Sequence, residues 1–190
     1  MVILGLDVST TTIGYAYIKN KKILDMGFID ISKHGTFKDK AYHAMEVLDD
    51  NKYMEKTDKI IVEDSLSGFM GGRTRMQTII KLAKFNAVFC FVMEWRHDVD
   101  VELINPNTAR KAVFGKARVK GKSAKEYVKE QVDKKFKPNG FIKMNKRGNP
   151  DRRNIDAYDA LVCAFSSLKT WVWHFFNIFI IDVSKTVSFK

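Results

Sequence analysis

The chain has 190 residues, 45% of them hydrophobic, with three prolines and a formal net charge of +11. That length fits one domain, since a domain of about 150 residues already buries close to 70% of its unfolded surface, and the composition excludes a disordered chain. The charge is concentrated: residues 110–153 hold 16 Lys/Arg against 4 Asp/Glu, and the rest of the chain is close to neutral, which suggests a binding surface, for nucleic acid or for an anionic membrane, rather than a solubilising coat.

In chain order, Val2–Ser9, Ile13–Ile18 and Ile23–Ile31 are short apolar runs, and the tight Asn20-Lys21 connection makes them an antiparallel meander. Over Asp39–Tyr53, the residues Tyr42, Met45, Val47 and Leu48 fall near helical spacing. Lys59–Glu63 (KIIVE) has the pattern of a strand buried on both faces. Ser65–Gly72, with three glycines, is a loop. Arg73–Trp95 is the longest helical segment, and its second half is apolar all round, which requires cover on more than one face. Val99–Ile104 is a strand, and Asn105-Pro106 opens a helix. Lys116–Lys122 is a basic loop, Ser123–Phe136 a helix capped by Ser123, and Lys137–Arg153 a polar loop with two prolines and two glycines. Asn154–Leu168 is the last helix, with Asn154 as N-cap. Strands first and alternation later give an α/β class with a mixed sheet. Cys90 and Cys163 sit in apolar runs without a CxxC, so free thiols are expected. The N-terminus lacks the basic start of a signal peptide and carries Asp7 in its hydrophobic stretch, so a cytoplasmic protein is expected.

Two acids stand out because they interrupt or end buried strands: Asp7 in ILGLDVS and Glu63 in KIIVED. A carboxylate on a strand covered on both faces must be paired, protonated or bound to metal, although an acid at a strand end often only caps a loop. Asp156 and Asp159 lie three apart on the last helix and lean along one face, which Ile155, Tyr158, Leu161 and Val162 make mostly apolar. Four acids converging from two strands and a helix suit a hard cation such as Mg²⁺, with Mn²⁺ as a substitute. Two such ions about 3.5–4 Å apart can clamp the attacking and leaving oxygens of a phosphodiester. The set reads as a two-metal site.

The order of GLDVSTTTIGYA (5–16), IVED (61–64), a long apolar helix and NIDAYDALVCAF (154–165) resembles the RuvC family of Holliday-junction resolvases, from about Val2 to Leu168. The resemblance implies a ribonuclease H-like mixed sheet flanked by helices, a nuclease domain over 1–168 and an apolar extension over 169–190. It implies Asp7, Glu63, Asp156 and Asp159 as metal ligands and catalytic carboxylates. It further implies that Lys122 approaches the scissile phosphate and that Arg110 stands where a lysine is more usual, a substitution that exchanges a point charge for a bidentate fork. An aromatic just after the glutamate would wedge into the junction centre. Here Leu66 is three residues beyond Glu63 and Phe69 is the first aromatic, so either Phe69 takes that part from a longer loop or no wedge is present. The implied reaction is hydrolysis of branched DNA in paired cuts, leaving 5′-phosphate and 3′-hydroxyl ends.

The basic loops, with Lys116, Arg118, Lys120 and Lys122 in one and Arg147, Arg152 and Arg153 in the other, are expected to contact phosphates of a four-way junction. Symmetric cutting requires two equivalent sites and hence a two-fold homodimer, for which helix 73–95 is the candidate surface. The competing reading buries that helix within one monomer. Trp171–Ile181 is too short for a bilayer-spanning helix, which needs about 20 residues. Joined to Leu161–Leu168 it approaches that length, but Lys169 interrupts, and no membrane association is expected. Three alternatives stay open. An actin-like kinase would explain Asp7–Thr11, but needs a second lobe. A ribonuclease H-like nuclease would act on RNA or hybrid duplexes. A non-catalytic module would bind branched DNA without cutting it.

Overall fold

The structure is a computed structural model and describes residues 1–64 and 76–168. Strands β1 (Val2–Val8), β2 (Thr12–Lys19), β3 (Lys22–Asp30), β4 (Thr57–Glu63) and β5 (Val101–Ile104) form one mixed sheet in the order β3-β2-β1-β4-β5. The β1–β2 and β2–β3 pairs are antiparallel, whereas β1–β4 and β4–β5 are parallel. Asn20 and Lys21 turn the β2–β3 hairpin with φ of 51° and 64°, the left-handed pair that matches the twist of the flanking strands.

Side chains alternate along a strand, and here the alternation divides the molecule. Leu4, Leu6 and Val8 of β1, with Ile60 and Val62 of β4, pack on one face against helices α1 (Phe37–Asp49) and α2 (Met76–His97). Ile3 of β1, Ala16 and Ile18 of β2 and Ile61 of β4 face the other way, toward helices α3 (Pro106–Phe114), α4 (Ala124–Phe136) and α5 (154–168). Each fully enclosed aliphatic side chain contributes roughly 1.5–3 kcal/mol, so both faces are sealed by hydrophobic burial.

Several boundaries differ from the sequence expectation, each for a local reason. Helix α1 starts at Phe37 because Thr36 and Asp39 form a capping box, and it ends at Asp49, where a turn leads into a short 3₁₀ segment over Met54–Lys56. Asn154 does not cap α5. It is buried, and its amide donates to the carbonyls of Lys143 and Asp151 (2.8 Å each) while its Oδ1 accepts from Lys143 N at 3.1 Å. The cap residue expected from sequence instead ties the preceding loop to the helix.

Helix α2 is long and apolar enough to cross a bilayer by length and composition, yet Phe85, Phe89 and Met93 are enclosed in the sheet core, with Phe85 packed at 5.3 Å between ring centroids against Phe37. The cover is one-sided. Phe91 and Trp95 are 67% and 77% exposed. Cys90 and Cys163 are free thiols. The start of the helix expected at 73, the loop bearing Phe69, and the 169–190 extension lie outside the described residues.

Candidate active site

Asp7 and Glu63 sit at the C-terminal ends of the adjacent parallel strands β1 and β4. Counting by two from Ile3 and Ile61 puts both carboxylates on the α5 face. One residue further, Asp64 has left the strand. The turn after Asp7 is held by Ser9, whose Oγ accepts from Thr11 N (3.2 Å) and Thr12 N (3.0 Å) and donates to Thr12 O (2.8 Å). The Lys40 ammonium donates to Thr10 O across from α1. At β4, the buried Asn86 of α2 donates to Glu63 O at 3.3 Å and accepts from Cys90 Sγ at 3.1 Å.

Two glycines bring α5 down onto these strands. A Cβ on Gly5 would lie 2.1 Å from Ala160 O, and one on Gly14 would lie 2.1 Å from Asp156 O. Gly14 is the cross-strand partner of Asp7, so the closest approach of helix to sheet occurs beside the first acid. Backbone contact at that point sets Asp156 and Asp159 over Asp7 and Glu63.

The electrostatics record this convergence. Burial raises the Asp7 pKa well above the usual carboxylate value, and the charges of Glu63, Asp159 and Asp156 push it further. Glu63 is pushed up to about 8 by burial and by Asp159, against the pull of Arg110 and Lys125. Burial also raises Asp159, outweighing Arg110, and raises Asp156, outweighing Lys125. Behind them the Cys163 thiol is raised by burial and by the same acids, and stays neutral. Such a cluster lacks positive charge.

Two side chains supply part of it. Arg110, buried on α3, donates from one guanidinium nitrogen to Asp159 Oδ1 at 3.1 Å, and its Nε has no hydrogen-bond partner among the described residues. Lys125, in the first turn of α4, reaches Asp156 Oδ1 at 3.6 Å. Among the described residues no three acids converge closely enough to form a ready-made cation cage.

The structure gathers Asp7, Glu63, Asp156, Asp159 and Arg110 within electrostatic reach of one another, though not as a closed cage, and leaves Lys122 outside. Lys122 precedes the Ser123 cap and pairs with Glu130. Beside Arg110, the second cation next to the acids is Lys125, which sequence reasoning missed. The signal was present in GKSAKEYV: once Ser123 and Glu126 form a capping box, Lys122 falls outside the helix and Lys125 inside it. Asn86 carried no such signal.

Lys116, Arg118 and Lys120 are exposed on the loop after α3, Arg147 on the hairpin closed by the Met144–Pro150 bridge, and Arg152 on the turn that follows it. Arg153 is differently engaged. It pairs with Asp151 (2.7 Å) and Asp30 (2.6 Å) and lies 4.5 Å over the Phe28 ring, next to Lys143, which donates to Phe28 O at 3.1 Å. These contacts fasten the hairpin to β3.

No protein-family model matches the chain, and no curated protein resembles it in sequence. Solved structures do. RuvC from Thermus thermophilus is 18% identical with a TM-score of 0.59, over 87% of this chain and 92% of that one. A fowlpox virus resolvase, solved with its substrate Holliday junction DNA, is 16% identical with a TM-score of 0.50 over 90% and 99%. The yeast mitochondrial Holliday junction resolvase Ydc2 is 12% identical with a TM-score of 0.52 over 93% and 83%. The five-stranded mixed sheet with helices on both faces is thus a ribonuclease H-like fold. Within that class, it is the fold of the RuvC-type resolvases.

Proposed function

We propose that this chain is a divalent-metal-dependent endonuclease that binds branched DNA and resolves four-way junctions by paired cuts as a homodimer. The observation that carries the reading is the meeting of Asp7 and Glu63, at neighbouring strand ends, with Asp156 and Asp159 on a helix seated directly on the sheet. Four carboxylates with raised pKa values form an oxygen-donor set that fits Mg²⁺ or Mn²⁺ in charge and hardness. Bound there, two ions would supply an activated water and neutralise charge at the attacked phosphate.

The chain's own groups do the remaining work. The carboxylates hold the ions. Arg110, whose Nε has no partner among the described residues, and Lys125, on the exposed side, meet the scissile phosphate and orient it. The basic loops at 116–122 and 143–152 take up flanking phosphates. The exposed apolar stripe of α2, from Val88 through Phe91 to Trp95, buries against its two-fold mate and sets two sites for two cuts.

The test is incubation of the purified protein with a synthetic four-way junction, a plain duplex and an RNA–DNA hybrid, with and without Mg²⁺ or Mn²⁺. Paired, metal-dependent nicks in the junction are expected. Cutting of the hybrid alone selects the competing nuclease, and binding without cutting selects a non-catalytic module. If six to ten phosphates are neutralised, affinity falls roughly 10³–10⁵-fold between 50 and 200 mM salt.

A further inference from the structure

We propose a second nucleic-acid site, for single strands, in the basic cavity between the β2–β3 turn and the C-terminal end of α4. The cavity has a volume of about 350 Å³, within the range of roughly 300–1,000 Å³ typical of small-ligand pockets. Lys21, Lys22, Lys135 and Lys137 line it together with Phe136 and Phe141, and among the described residues no acidic side chain does. Two separate basic runs of the sequence, 19–22 (KNKK) and 134–137 (KKFK), are joined here by the fold.

The cavity is distinct from the carboxylate cluster. Lys19 pairs with Val2 at one end of β1, whereas Gly14 pairs with Asp7 near the other, a separation of roughly 17 Å at 3.4 Å per residue. No single phosphate touches both.

The charge is available to a ligand. The ammonium groups of Lys21, Lys22 and Lys137 make no ion pair among the described residues, while Lys135 is steadied by Val113 O at 2.5 Å. Lys21 and Lys137 occupy left-handed backbone positions, with φ of 64° and 50°, where a hairpin turn or helix end ordinarily favours glycine or asparagine. The floor is aromatic and firm, because Phe136 stacks on Phe165 with centroids 4.2 Å apart.

Lysines alone would suit an acidic peptide equally well. The aromatic floor favours a nucleotide, which carries an anion and a π-face in one unit, and single-strand binders combine these two elements. A duplex keeps its bases stacked inside, so the occupant is unpaired.

The experiment uses the full chain in EDTA with a fluorescein-labelled oligothymidylate of about 12 nucleotides, within single-strand site sizes, and a 5-bromouracil version for photo-crosslinking. Crosslinks are expected within 135–141. Lys21→Glu/Lys137→Glu should lose them, bind at least about tenfold more weakly, and lower the salt slope by about 1.4 for two phosphate contacts. Circular dichroism verifies the fold, and Lys21→Gln/Lys137→Gln serves as the milder variant. Crosslinks confined to other segments, or an unchanged affinity and slope, overturn the proposal. So does a glutamate-rich peptide that binds in a Lys21- and Lys137-dependent way while the oligonucleotide does not. Junction cutting by the same variants is expected to be unchanged, so failure here and failure of the nuclease reading are separate results.

Discussion

The two faces of the central sheet are built from the same strands to opposite ends. On the α1–α2 face, β1 presents Leu4, Leu6 and Val8, all large and buried. On the α5 face it presents Ile3, Gly5 and Asp7, and the cross-strand partners in β2 are Ile18, Ala16 and Gly14. Side-chain bulk therefore falls along the second face toward the carboxylates, and α5 answers with Ala157, Ala160 and Ala164. One face maximises buried volume. The other gives volume up so that a helix backbone lies against a strand at the acidic end. Stability and site geometry are thus assigned to alternate residues of a single strand.

The largest expected effect separates these assignments most sharply. Asp7→Asn should lower junction cutting by roughly 10³-fold or more while leaving junction affinity within a few-fold, as expected when one member of a catalytic unit is lost. A nicking assay beside a gel-shift titration checks both, and cutting at the wild-type rate would refute the site. Next comes a matched pair. Leu6→Ala should cost about 2–5 kcal/mol in denaturant unfolding yet leave the folded fraction able to cut. Gly14→Ala, whose Cβ meets the backbone oxygen of Asp156, should push α5 off the strand at a cost of at least about 1–3 kcal/mol as overpacking and abolish cutting in the fraction that still folds. Equal losses of activity in the two variants would erase the distinction between the faces.

A third prediction concerns pH. Glu63 is raised to about 8 and Asp7, Asp156 and Asp159 are raised in the same direction, so the folded state binds these protons more tightly than the unfolded chain does. Without metal, the contribution of these four groups to stability is then fullest below the ordinary carboxylate range and falls as pH rises from about 4.5 toward 8. Thermal melts in EDTA at pH 5 and pH 8 should show the decline, and Mg²⁺ should reverse it at pH 8. A melting temperature independent of both would deny the mutual repulsion. The smallest effect on folding is Trp95→Glu on the outer side of α2. It should change stability by no more than about 0.5 kcal/mol, as surface substitutions usually do, but convert a dimer to a monomer in sedimentation.

Much of this was legible in the sequence because it is written in short local patterns. Short unbroken apolar runs marked Asp7 and Glu63 as acids in strands buried on both faces, and the spacing of Asp156 and Asp159 put them on one helix face. What the sequence hid depends on neighbours distant in the chain. Gly5 and Gly14 read as ordinary strand residues until α5 is laid across them. Arg110 and Asp159 are 49 residues apart and meet only in the fold. Arg153 looked like a free basic residue in a polar loop, but Asp151 beside it and Asp30, distant on β3, both hold it.

That restraint extends beyond Arg153. With Asn154 bonded to both ends of the excursion at Lys143 and Asp151, and Lys143 reaching Phe28 O, the hairpin from Lys143 to Arg152 stands as a braced arch rather than a loose strap. A polyanion that settled on Arg147 and Arg152, as proposed, would meet a surface already in its final shape, so little chain entropy would be lost at the moment of contact. Under the proposed function, such an arch would favour a backbone whose contour matches its own.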